Sequence, residues 1–192
     1  MAIELFLAQG YGATSIEAVA QRARIAKRTF YHRFPHKAAL FGAVVHHIIE
    51  ALRPPAGTPL FDGGSLEEVL RRLAKLILRA SLTPLALSLN RLIVAEAQRF
   101  PELAAIVARE GGRAQLVGGI AALLEREARA GSLAIDRPEF AAEQFLQLVV
   151  AAPQRRALGL GTPMTEGELD TWADDCVNLF LNGCRSWHPP AP

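Results

Sequence analysis

Residues 14–37 read T-S-I-E-A-V-A-Q-R-A-R-I-A-K-R-T-F-Y-H-R-F-P-H-K, and this stretch decides the fold. Thr14 and Glu17 predict a capping box, in which hydroxyl and carboxylate each take an otherwise orphaned backbone N–H, so a helix is expected to begin there. Ile16, Val19, Ala20 and Ala23 give that helix one apolar face at helical spacing. Arg24-Ile25-Ala26 is too short and too weakly patterned to be an element and reads as a turn. Lys27 to Phe34 forms a second helix that Pro35 ends, because the residue before a proline is pushed out of the helical region.

The two sides of the second helix differ in chemistry. Phe30 and Phe34, four apart, are expected to plug a core together with Ile25 and Val19. Lys27, Arg28, Tyr31 and His32 fall on the opposite side, with Thr29 at its margin. So short a helix is unstable alone and must be held by neighbours. Residues 15–37 carry six Lys/Arg and one acid, Glu17. A small helical unit that ends in a presented basic helix suits the major groove of DNA.

G-Y-G-A-T-S-I-E-A-V-A at 10–20 and I-A-K-R-T-F-Y-H-R-F-P-H-K-A-A-L-F at 25–41 resemble the DNA-binding domain of the TetR family of one-component repressors. The resemblance covers about residues 3–48 and is most specific in T-F-Y-x-x-F-x-x-K-x-x-L-F. It implies that Lys27, Arg28 and Thr29 approach base edges, and that Ser15, Tyr31, His32 and Lys37 contact phosphates of a double-stranded operator. Arg24 stands where the family often has Gly, and Ala26 where it has a Ser or Thr cap. Family members usually begin with a basic arm and a longer first helix. Here the first helix, Ala2 to Gln9, starts almost without preamble and is expected to be truncated.

The rest of the chain fits this beginning. Its 192 residues are 51% hydrophobic and 21% charged, enough for a sizeable core. The net charge of +2 conceals an asymmetry: residues 1–53 hold seven Lys/Arg against three acids, and 54–192 hold fourteen against sixteen. The basic excess lies in the first quarter, so nucleic acid would be bound there. The apolar runs 85–97 and 145–152 are short, and the first contains Asn90, Arg91 and Glu96, so no membrane role is expected. No basic-then-apolar leader precedes the first helix, which makes a cytoplasmic location the expectation. Cys176 and Cys184 lie eight apart on one helix, roughly 12 Å by the helical rise, and read as buried structural thiols. His46 and His47, being adjacent, point about 100° apart on a helix, and no H-x-x-x-H follows, so no metal and no cofactor are expected.

Lys37 to Leu52 should be a helix with a wide apolar face of Leu40, Phe41, Val44, Val45, Ile48 and Ile49. The Pro- and Gly-rich residues 54–64 mark a boundary between a helix-turn-helix domain at 1–53 and a helical ligand-binding and dimerisation domain at 65–188. Ser65-x-x-Glu68 opens a helix to about Ser81, and Thr83-Pro84 opens the next to about Arg99. Glu102 to Ala130 is long, with glycine pairs at 111–112 and 118–119 that should kink or break it. Asp136-x-x-Glu139 opens a helix through about Ala157, and Thr165-x-x-Glu168 caps the last, to about Trp187, before a tail expected to be disordered. Strand-like alternation is lacking, so the class is all-α with about nine helices: an N-terminal three-helix helix-turn-helix domain and a C-terminal helical regulatory domain.

The last two helices look too apolar for a monomer. Phe145, Leu148 and Val149 in one, and Trp172, Cys176, Val177, Phe180 and Leu181 in the other, are expected at a homodimer interface. L-I-V-A-E-A-Q-R-F-P-E-L at 92–103 and A-A-E-Q-F-L-Q-L-V at 141–149 resemble the AefR-like group of TetR C-terminal domains. A small-molecule inducer is implied by the family, and Leu89, Ile93, Glu96 and Phe100 share a helical stripe that could line its pocket. Gln115, Gln144 and Gln147 could add hydrogen bonds there. The resemblance thus implies a ligand-responsive repressor that binds a palindromic operator as a homodimer. The alternatives are a helical interaction protein or an enzyme without DNA binding. Ser, His and Cys are too scattered to form a catalytic set, so an enzyme is not expected.

Overall fold

The computed structural model describes residues 1–54, 58 and 60–184, and its regular elements are all helices. Ten occur among the described residues: α1 (Ala2–Ala13), α2 (Ile16–Ala23), α3 (Lys27–Arg33), α4 (Lys37–Leu52), α5 (Leu66–Ser81), α6 (Pro84–Glu96), α7 (Glu102–Glu110), α8 (Arg113–Arg129), α9 (Pro138–Ala157) and α10 (Glu166–Cys184). The all-α class is as expected. The extra helix arises between α7 and α8, where Gly112 takes φ 68°. That left-handed turn breaks the helix, whereas Gly118 and Gly119 keep helical angles and remain inside α8. The extension of the last helix to Trp187 and the tail lie outside the described residues, as do residues 55–57 and 59 of the boundary segment.

Helix starts follow the local chemistry in part. Ser65 and Glu68 form the full reciprocal capping box on α5. Thr165 and Glu168 do the same on α10, with Thr165 N–H donating to Glu168 Oε2 at 2.7 Å and Glu168 N–H to Thr165 Oγ1 at 3.3 Å. Asp136 and Glu139 do not: α9 begins at Pro138 with no side-chain cap. Nor does the box expected on Thr14 and Glu17 form. Ser15 caps α2 instead, its Oγ accepting from Ala18 N–H at 3.0 Å. Thr14 is buried, and its hydroxyl lies 2.7 Å from Gly10 O and 3.3 Å from Leu5 O. Gly10, with φ 83° and ψ 168°, breaks α1 four residues before Thr14.

Packing divides the chain into two compact units that are discontinuous in sequence: Met1–Arg53 with Pro84–Ala114, and Pro54–Thr83 with Gln115–Pro192. In the first, α4 buries Leu40, Phe41, Val44, Val45 and Ile48 in one core with Phe6, Tyr11, Val19 and Phe30. Leu89 and Leu92 of α6 and Leu103 and Ile106 of α7 join that core, although the sequence grouped those helices with the second domain. Tyr11 packs edge-on against Phe41 and Phe100, with ring centroids 5.3 Å and 5.1 Å away. Ile25, expected beside Phe30, is exposed instead.

The second unit is built by α5, α8, α9 and α10 around Leu70, Leu73, Ile120, Leu124 and Phe145. Phe145 and Phe180 meet edge to face at 5.1 Å. Trp172 Nε1 donates to Val149 O at 2.9 Å, and Cys176 Sγ to Leu148 O at 3.4 Å. Phe145, Val149, Cys176, Val177, Phe180 and Leu181, read from sequence as interface residues, are therefore buried within this unit's own core. Leu148 and Trp172 are partly buried. Helical periodicity shows that a face is apolar but not whether it meets its own chain or another. Burial, with a smaller push from Asp175, raises the Cys176 thiol to about 11, so it stays protonated and inert. Phe145→Ala should cost about 3–5 kcal/mol. Because the lost contacts are within one chain, chemical denaturation should give the same loss at every protein concentration; a loss that fades on dilution would place Phe145 at an interface.

Candidate nucleic-acid interface

α2 and α3 form a helix-turn-helix whose turn rests on backbone geometry. Arg24 ends α2 in the left-handed region, with φ 56° and ψ 37°, and it is the one non-glycine residue with positive φ among those described. Its N–H donates to Ala20 O and Gln21 O, and Ile25 N–H donates to Ala20 O at 3.0 Å, closing the carbonyls at the end of α2. This is the position where the family pattern favours glycine, and the backbone keeps the glycine-like shape with arginine in place. Ala26 precedes α3 without a side-chain cap bond, as its lack of a hydroxyl requires.

α3 is seven residues long and buries only Phe30, whose ring lies 5.3 Å from that of Phe34. Lys27, Arg28, Thr29, Tyr31, His32 and Arg33 are all exposed. Among the described residues, the side chains of Arg28, Thr29 and His32 make no hydrogen bond or ion pair. Tyr31 donates its hydroxyl proton to Glu17 on α2, bracing the two helices against each other. That bond, then the Glu17 backbone N–H and the charge of Lys27, holds the Glu17 carboxyl below its ordinary range. A depressed carboxyl favours the folded state at neutral pH, and the benefit is lost as the pH falls through the folded pKa. The bond occupies the only proton Tyr31 could offer a phosphate. Ser15 differs: its oxygen accepts from Ala18 N–H, which leaves its own proton free.

Lys37 is more committed than its sequence reading implied. Its ammonium donates to Tyr11 O at 2.9 Å and Gly12 O at 3.1 Å, which leaves one N–H over. The residues read as a pocket stripe also belong to the first unit: Leu89 is in its core, and Ile93 and Phe100 pack against that core. Glu96 accepts from Tyr11 N–H at 2.9 Å and Gly12 N–H at 2.7 Å, so its carboxylate is engaged by backbone. Gln115, Gln144 and Gln147 are exposed. Leu89, Ile93, Glu96 and Phe100 thus lie in the first unit, and Gln115, Gln144 and Gln147 in the second. No sequence pattern announces the Glu96 contact, because its partners are main-chain N–H groups 85 and 84 residues away.

Comparison with known proteins places this geometry. The family model of the bacterial regulatory proteins of the tetR family matches residues 1–44, and that of the AefR-like transcriptional repressor C-terminal domain matches residues 68–183. The solved structure of the Flavonoid-responsive Regulator FrrA is 34% identical, with TM-score 0.79 over 99% of this chain and 94% of that one. A TetR family transcriptional regulator from Pseudomonas syringae pv. tomato str. DC3000 is 27% identical, with TM-score 0.70 over 96% and 92% of the two chains. The uncharacterized HTH-type transcriptional regulator Rv1556 of Mycobacterium tuberculosis is 41% identical over 81 residues, so the match spans 41% of this chain and 38% of that relative. Matched at both ends and over nearly its whole fold, the chain belongs to the TetR family of transcriptional regulators.

Proposed function

We propose that the protein is a ligand-responsive repressor that binds a two-fold operator as a homodimer through α3 and leaves it when a small molecule binds. The observation that carries this reading is α3 itself. One side chain anchors it, and the rest, cations and donors, face outward with Arg28, Thr29 and His32 unspent. Lys27, Arg28 and Thr29 meet base edges in the major groove, where paired donors match guanine acceptors. Ser15, His32 and the remaining N–H of Lys37 meet phosphates, while Tyr31, its proton held by Glu17, braces α3 against α2. The protein works in the cytoplasm, where its operator is.

Dimerisation is needed because one such helix reads too few bases. Two copies of α3 must sit about 34–36 Å apart to reach successive turns of one DNA face. The pairing surface is the outer stripes of α9 and α10, which expose Phe140, Gln144 and Gln147, and Leu179 and Asn182. Phe140 and Leu179 are 51% and 65% exposed, and a second copy of the chain would cover them.

The inducer belongs to the second unit, and a flavonoid is the first class to test, given the response named for the relative that shares 34% of its residues. Room for it is made by movement of Phe61, whose ring lies against the backbone of Gly119 where a Cβ would overlap it. The ligand releases DNA only in so far as it prefers a conformation that the operator does not.

Lys27→Ala and Arg28→Ala should each weaken operator binding by about 1–3 kcal/mol while changing random-sequence binding much less. A gel-shift titration against both DNAs checks this; equal loss on the two would remove these side chains from base contact. Leu179→Glu should shift the protein from dimer to monomer in sedimentation equilibrium at micromolar concentration. A variant that stays dimeric would move the interface elsewhere.

A further inference from the structure

The kink at Gly10 near the end of α1 is gripped from both sides by charged side chains of other helices. Gly10 swings the chain out of the helix, and the next two residues then present two N–H groups and two carbonyls. Glu96, the last residue of α6, takes both N–H groups: Oε1 from Tyr11 at 2.9 Å and Oε2 from Gly12 at 2.7 Å. Lys37, the first residue of α4, takes both carbonyls, at 2.9 Å and 3.1 Å. Its ammonium also stands 4.6 Å from the Tyr11 ring centroid and 5.7 Å from that of Phe100. The fit is close. A Cβ at Gly10 would overlap Glu96 Oε1, and one at Gly12 would come within 3.1 Å of Phe100.

The grip matters because the DNA-reading helices hang from this kink. Thr14 is buried and tied by its hydroxyl to Gly10 O, and Ser15 caps α2. The position of the kink therefore sets where α2 starts. α2 in turn carries α3 through the left-handed turn at Arg24 and the Tyr31–Glu17 bond. We infer that Glu96 is a positioning residue for DNA reading: its carboxylate fastens the end of α6 to the kink before α2, so that the presentation of α3 depends on where α6 ends. The inference rests on the DNA-binding reading above and adds to it a residue that touches no DNA. A carboxylate that receives two backbone N–H groups forms a charge-assisted pair, stronger than neutral bonds and fixed in direction.

The sign of the effect separates positioning from simple charge. Removing a negative charge from a DNA-binding unit should by electrostatics alone strengthen binding to every DNA. Positioning gives the opposite result on the operator alone. Glu96→Gln keeps the size but turns one acceptor oxygen into a donor facing an N–H. Glu96→Asp keeps the charge but is one methylene too short to reach both. Dissociation constants are measured for both variants and the wild type on an operator selected from random DNA by the wild type, and on a scrambled duplex, with melting temperatures recorded in parallel. For Glu96→Gln the ratio of scrambled to operator dissociation constants should fall about tenfold, with scrambled binding unchanged or tighter. Glu96→Asp should move the ratio the same way by less, and it carries the comparison if the Gln variant melts below the assay temperature. Unchanged ratios in folded variants overturn the inference and leave the DNA-binding reading intact. A wild type that selects no operator overturns both.

Discussion

A seven-residue helix has too few internal hydrogen bonds to form by itself, and α3 depends on one buried ring to exist. Phe30 supplies that anchor, 6% exposed, in a core shared with Val19 and Ala20 of α2 and Leu40 and Phe41 of α4. Since only Phe30 is buried and only Tyr31 is bonded to α2, almost every other side chain on the helix is free to face outward. Two local departures raise the dependence on this packing. Arg24 holds a conformation that costs a side-chain-bearing residue about 1–2 kcal/mol, and Ala26 contributes no cap. The exposed face of α3 is held by tertiary contacts far more than by its own sequence preferences.

The supporting frame is wider than the first four helices. α6 and α7 pack into the same core, and the polar ends of α4 and α6 meet at the kink of α1. The end of α6 is therefore joined by direct bonds to the kink that precedes α2. Bidentate charge-assisted bonds tolerate little change in distance or angle, so this contact fixes the end of α6 closely against the kink.

Much of this was legible in the sequence, and the misses share a cause. The boxes at Ser65 and Thr165 are local, with donor and acceptor three residues apart, and both form. The apolar face of α4 and the outward face of α3 follow from periodicity, and both hold. Thr14 failed as a cap because Gly10 O, at the kink of α1, takes its hydroxyl proton, and only the folded chain brings the two together. Ile25 was expected inside, but the left-handed Arg24 turns it to solvent. Phe145 and Val177 were read as interface because a hydrophobic stripe carries no label for its partner, and the unit's own core claims them. Glu96 lay beyond reach for the same reason: a carboxylate among apolar neighbours signals a bond, not with whom.

The salt dependence of binding tests most directly whether the outward face of α3 reads DNA. Affinities for a selected operator and for a scrambled duplex should be measured by fluorescence anisotropy between about 50 and 200 mM salt. Both should fall steeply as salt displaces phosphate contacts, while a preference for the operator persists across the range, because base contacts release no counterions. Binding that hardly changes with salt, or that never distinguishes the two duplexes, would contradict the account.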